Sequence, residues 1–160
     1  MKRWFRLVEA QAHCDVPCGI YDPVKAQQAA LSVVRFLDLL AEMGDADDSL
    51  AARAKLARLT AEKEAHAAEV KAEVVVIWGD YFKAPQIEAH PQIHALTHDI
   101  LRQASACKQG VDPVDGRKLV ELVNDFAEVF WSTRGVETER VEVPYEPKLA
   151  IVQGKFEPSV

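Results

Sequence analysis

The chain has 160 residues, 49% of them apolar, and a net charge of −6 from 25 acidic and 19 basic residues. That length favours one domain with a single modest core. The acidic balance argues against a nucleic-acid partner, which would call for a basic face, and no apolar run reaches the roughly 18 residues of a membrane span.

Residues 1–12, MKRWFRLVEAQA, read as a removable leader. The segment starts basic and ends Ala10-Gln11-Ala12, in the manner of a signal-peptidase site. Arg6 and Glu9 interrupt its apolar part, whereas an export signal needs about 7–15 apolar residues. The leader is therefore not read as an export signal, and the expected compartment is the cytoplasm.

Next comes His13-Cys14-Asp15-Val16-Pro17-Cys18-Gly19-Ile20-Tyr21-Asp22-Pro23. It gathers two thiols and an imidazole around a forced turn. The third cysteine, Cys107, lies far away. An odd count with this spacing predicts a metal or redox pair plus one structural cysteine, and not a disulfide framework.

The remainder predicts helices. Asp22-Pro23 is a cap and first-turn pair. Val33, Phe36, Leu37, Leu40 and Met43 then follow helical spacing up to a stop at Gly44. The run Asp45 to Asp48 supplies caps for a second helix from about Ser49 to near Trp78. Its buried stripe is read as Leu56, Leu59, Val70, Val74 and Ile77. Trp78 to Pro85 reads as an aromatic loop. A third helix opens at Pro91, with Ile93, Leu96, Ile100, Ala104 and Cys107 on one face, and ends at Gly110 and Pro113. A fourth spans about Asp115 to Trp131, with Leu119, Leu122, Val123, Phe126 and Phe130 inward. Gly135 closes it.

These four amphipathic segments with short links predict an all-α fold, an antiparallel four-helix bundle. The tail from Val136 alternates at Val141, Val143 and Tyr145 and reads as extended structure or a short hairpin. There is no internal repeat and no low-complexity segment.

Thiolate and imidazole together suit soft or borderline metals. Pro17 and Gly19 make a tight turn that folds both sulfurs to one side. Two thiols and one imidazole leave a tetrahedral zinc site one ligand short. A cut before His13 would supply the missing donor. The new terminal amine and the Cys14 amide nitrogen close one five-membered chelate ring, the Cys14 sulfur closes a second, and Cys18 completes a planar N2S2 set. Planar N and S donors favour nickel(II) or copper(II), and the His13 imidazole stays free to bind axially. With the leader attached, that nitrogen is an ordinary amide and a poor ligand.

The segment His13 to Pro23 resembles the N-terminal nickel hook of the nickel superoxide dismutase family. Trp78-x-Asp80-Tyr81-Phe82-Lys83 with Pro85 is similar to its second landmark. Pro91-x-x-His94, Asp112-Pro113 and Phe130-Trp131 continue the likeness over roughly residues 13–134. Residues 135–160 extend beyond it.

The resemblance implies a hook on a four-helix bundle, assembly as a homohexamer, and a leader peptidase that exposes His13. It implies one nickel ion per subunit, bound by His13, Cys14 and Cys18, cycling between Ni(III) and Ni(II). The reaction would be 2 O2⁻ + 2 H⁺ → O2 + H2O2. Tyr21 would sit at the open face with Tyr81 as its partner, although ordinary packing of both rings stays open. Pro17 shapes the hook, and Asp15 and Lys83 would support it or attract superoxide.

The chain departs from the family at two positions. The family places a glutamate near the start of helix one to hold the axial imidazole, and Ala29 stands there. An arginine on helix two joins that contact, and His66 stands there once an insertion is allowed. His66, on the stripe with Leu59 and Val70, is read as a satisfied core histidine.

Cys107 is read as core filling. His90, His94 and His98 have metal-compatible spacing but are read as surface or core residues. The rival functions are a non-catalytic nickel- or copper-binding bundle, serving as carrier or shell, and a thiol oxidoreductase. The latter is disfavoured because Cys14 and Cys18 lack C-x-x-C spacing. A hook that binds no metal would be a redox-prone loop.

Overall fold

The computed structural model describes residues 18–44 and 49–156. Its helices are α1 (Val24–Met43), α2 (Leu50–Val76), α3 (Ala84–Ala89), α4 (Ile93–Gln109) and α5 (Pro113–Thr133). A two-stranded sheet follows, β1 (Thr138–Glu142) and β2 (Ala150–Gly154). The molecule is mostly helical with one small sheet. The four long helices form a ring in which α1 packs on α2 and α5, and α4 on the same two.

Local chemistry explains the ends. The Asp22 carboxylate accepts the Val24 N–H at 2.8 Å, and the Asp112 carboxylate accepts the Val114 N–H at 2.9 Å beside Pro113. The Ser49 hydroxyl accepts the Ala52 N–H at 3.1 Å. Each fills an otherwise orphaned donor. Gly135, at φ +67°, takes the left-handed turn that ends α5. The cap role predicted for Asp45 to Asp48 falls outside the described residues.

The core is formed by the faces that periodicity picks out. Val33, Val34 and Leu37 of α1 meet Leu119, Val123, Phe126 and Phe130 of α5, and Ile93, Ile100, Ala104 and Cys107 of α4 are fully buried. Phe36 and Met43 are only half-buried. The stripe on α2 differs from expectation. Lys63, Ala67, Val70, Val74 and Ile77 face inward, whereas Leu56 is 47% exposed. The core ends at Lys63, whose ammonium donates to the carbonyls of Lys108 at 2.9 Å and Gly110 at 2.6 Å. It thereby satisfies the open end of α4.

Two further differences concern the region read as a loop from Trp78 to Pro85. Residues Ile77–Tyr81 continue α2 as a π-helical turn, and the Phe82 N–H reaches the Ile77 carbonyl at 3.3 Å. One wider turn redirects the aromatic side chains. The short helix α3 then follows, with the Gln86 side chain accepting the Lys83 N–H at 3.1 Å. The third long helix starts at Ile93, two residues after Pro91.

The tail is a hairpin, with Thr138 opposite Gly154 and Glu142 opposite Ala150. Val143, Ile151 and Val152 are buried against the helices. The outer edge of β2 is satisfied by side chains. Asn124 accepts the Val152 N–H at 3.0 Å and donates to the Ala150 carbonyl at 2.9 Å. Gln27 donates to the Val152 carbonyl at 2.8 Å and to Asn124 Oδ1 at 3.2 Å. Two core amides stand in for a third strand.

Candidate metal centre

His13, Cys14, Asp15 and Pro17 lie outside the described residues. The described part of the site begins at Cys18, which is exposed and free. Gly19 follows at φ +72°, a left-handed conformation that glycine adopts without strain. Among the described residues no three His, Cys, Asp or Glu side chains gather to hold a metal. Cys18 is an unbridged, exposed sulfur.

Tyr21 and Tyr81 come together, with ring centroids 5.7 Å apart and planes at 49°. The π-helical turn delivers Tyr81 to this place. Tyr81 also packs on Phe130 at 4.8 Å. Its hydroxyl lies 2.6 Å from Thr133 Oγ1. Thr133 gives its own proton to the Phe130 carbonyl at 2.6 Å, so the Tyr81 hydroxyl is the donor in this pair. The Arg134 guanidinium lies 4.8 Å above the Tyr81 ring. Lys83 donates to the Gly79 carbonyl at 3.0 Å, a neutral acceptor that leaves its charge uncancelled. Of these two cations, Arg134 lies directly over a ring of the aromatic pair.

Thr133 and Arg134 do not figure among the residues predicted from sequence. Their signal was weak, because nothing in a helix C-terminus tells which distant ring it will meet.

The two departures settle differently. Ala29 is 3% exposed within the core, so it brings no polar group to any site. His66 is not a core histidine. Its ring is half-buried, pairs with Glu69 at 3.0 Å and stacks on Phe36 with centroids 5.7 Å apart. His94 Nδ1 accepts the Trp78 indole N–H at 3.0 Å, and His90 meets the Ser132 hydroxyl at 3.1 Å. Both therefore have ordinary hydrogen-bond roles. Cys107 is fully buried, and burial pushes its thiol up to about 11, which keeps it unreactive.

The pattern of the nickel-containing superoxide dismutase family matches residues 8–134. The chain belongs to that family. It is 39% identical over 127 residues to the protein named superoxide dismutase [Ni] of Streptomyces coelicolor, covering 79% of this chain and 92% of that one. It is 36% identical over the same length to the protein of that name from Streptomyces seoulensis. A native nickel superoxide dismutase structure superposes with a TM-score of 0.67 at 37% identity, over 76% of this chain and 99% of the other. A second, with nickel ligation of the oxidised state, gives 0.68 at 36% identity, over 77% and 99%. The hairpin lies beyond the end of the family match, at residue 134.

Proposed function

We propose that this member of the nickel superoxide dismutase family binds one nickel ion at His13, Cys14 and Cys18. The chain is a nickel-dependent superoxide dismutase, an oxidoreductase that converts superoxide to O2 and H2O2. The observation that carries the site assignment is the continuity of the hook with the Tyr21–Tyr81 pair. Cys18 is a free thiol three residues before Tyr21, and Tyr81 is brought to that ring from the far end of α2.

The donor set fits the metal, since thiolates with amine and amide nitrogens favour nickel in a planar arrangement. Bound there, nickel supplies the Ni(III)/Ni(II) couple. The chain's own groups do the rest. Tyr21 and Tyr81 line the approach and order the anion. The Tyr81 hydroxyl, held by Thr133, keeps its ring in register. Lys83 attracts superoxide through an uncancelled charge, and Asp15 and Pro17 hold the hook's shape.

The fold-level reading is an antiparallel four-helix bundle carrying the hook, residues 13–134, with residues 135–160 as an extension. A peptidase removes residues 1–12 so that His13 becomes the terminus, and the mature chains assemble as a cytoplasmic homohexamer. The metal-carrier alternative loses ground to family membership. The test is expression with His13 as first residue, followed by nickel loading. Nickel-dependent loss of superoxide is expected from that protein and not from the uncut chain. Equal nickel affinity in both would sink the hook assignment.

A further inference from the structure

A recess of about 320 Å³ lies where the C-terminal extension meets α1 and α2, lined by Leu31, Arg35, Phe36, His66, Tyr145 and Glu146 among others. Tyr145 and Glu146 belong to the segment joining β1 to β2, beyond the end of the family match at residue 134. The extension thus supplies one wall. His66, one of the chain's two departures from the family, supplies part of another.

The walls are aromatic. Phe36 and His66 are half-buried, and their rings stack with planes at 16°. Leu31 adds a buried apolar surface. Tyr145 is 51% exposed, and its side chain has no hydrogen bond or ring partner among the described residues. Polar groups stand towards the two ends. Gln28 also lines the recess and lies two turns before Arg35 on α1, about 10.5 Å along the axis. Its amide has no partner among the described residues. Arg35 reaches one carboxylate, Glu42, through a single nitrogen at 3.5 Å, so most of its fork is unspent. Glu146 pairs with Lys148 at 3.7 Å and not with Arg35.

We propose that this recess binds a hydroxylated aromatic monocarboxylate lying along α1. The ring packs on Phe36 and His66 beside Tyr145. The carboxylate takes the free N–H groups of Arg35, and the hydroxyl meets the Gln28 amide. Glu146, near Arg35, repels a second negative charge and so selects one carboxylate over two. Binding uses no nickel donor.

The test is isothermal titration of the full chain, without added nickel. The probe is para-hydroxybenzoate, and cyclohexanecarboxylate is the control that keeps the charge and lacks the aromatic ring. For a probe this small a Kd of roughly 1 mM is expected, with one probe per chain and the control weaker by about tenfold. Arg35→Ala and Tyr145→Ala alter side chains that are well exposed, so the urea midpoint should hold while each weakens binding by about tenfold. Arg35→Lys keeps the charge without the fork and should recover part of the affinity. Absence of saturable binding up to about 20 mM overturns the proposal. Affinity unchanged in both alanine variants overturns it too, by placing the probe elsewhere, as does a control that binds as well as the probe.

Discussion

The two ends of the chain meet helix α1 in opposite ways. The N-terminal end arrives at Tyr21 and Asp22 with an exposed thiol just before it, and what it carries is chemistry. The C-terminal end arrives as a hairpin whose backbone is gripped by Gln27 and Asn124, and what it carries is packing. The difference lies in where the cost of ordering is offset. Polar backbone at the hairpin is buried and must be paired. At the other end Cys18 stays exposed, as the proposed metal site requires of a group that a metal and an anion have to reach.

This contrast predicts that the two ends separate in mutants. Cys18→Ser removes a soft ligand from an exposed position. The His13-first protein should retain no nickel by metal analysis and show only the dismutation of the metal-free chain. Its metal-free stability should shift by less than about 0.5 kcal/mol in urea titration. Asn124→Leu should do the reverse. It strips the edge of β2 of one donor and one acceptor at a fully buried site, and should cost about 2–3 kcal/mol. Nickel content should stay normal. A Cys18→Ser protein that unfolds, or an Asn124→Leu protein that loses nickel, would mean the two ends are coupled through α1.

A smaller effect comes from Cys107, which belongs to the packed side of the contrast despite being a thiol. Its pKa is raised from 9.0 to about 11, first by burial and then by Asp115. The unfolded chain therefore loses this proton before the folded one does. The resulting stabilisation of the neutral form is complete below pH 9 and is lost as pH rises from 9 towards 11. The loss approaches about 2 kcal/mol by the upper limit. Urea midpoints across that range should fall more steeply for the native protein than for Cys107→Ala. Parallel slopes would show that Cys107 ionises as freely in the fold as out of it.

Membership of the family was legible in sequence because the segment His13–Pro23 depends on residue types at short spacing, and such a pattern needs no knowledge of the fold. The long helices were legible for a similar reason, since Ile93, Ile100, Ala104 and Cys107 report their own face by period. What escaped was set by contacts between distant segments. Lys63 looks like a surface residue until the carbonyls of Lys108 and Gly110 are placed against it. Gln27 and Asn124 look like helix-surface amides until β2 lies beside them. The π-helical turn at Ile77–Tyr81 could not be read from Trp-Gly-Asp-Tyr, because tertiary packing of Tyr81 and Phe82 decides it. His66 failed for a related reason. It lies within the buried length of α2, between Lys63 and Val70, but at the edge of the buried face, where its ring stacks on the half-buried Phe36 and pairs with Glu69.

The smallest expected effect sits where the two halves of the contrast meet, at Thr133. This side chain belongs to α5, yet its oxygen receives the Tyr81 hydroxyl proton at 2.6 Å. Thr133→Val keeps the shape and removes the acceptor. Tyr81 is half-buried, so its hydroxyl can turn to water, and the cost should be about 1 kcal/mol in urea titration. Nickel content should be unchanged, because no metal donor is touched. Dismutation should fall by less than about tenfold, since Tyr81 is held as well by Phe130 and Arg134 and, on the proposed assignment, acts on the anion's approach rather than on the metal. A larger loss at full nickel content would give the Tyr81 hydroxyl proton a direct part in turnover. A loss of nickel would extend the metal site to the end of α5 and erase the separation between chemistry and packing.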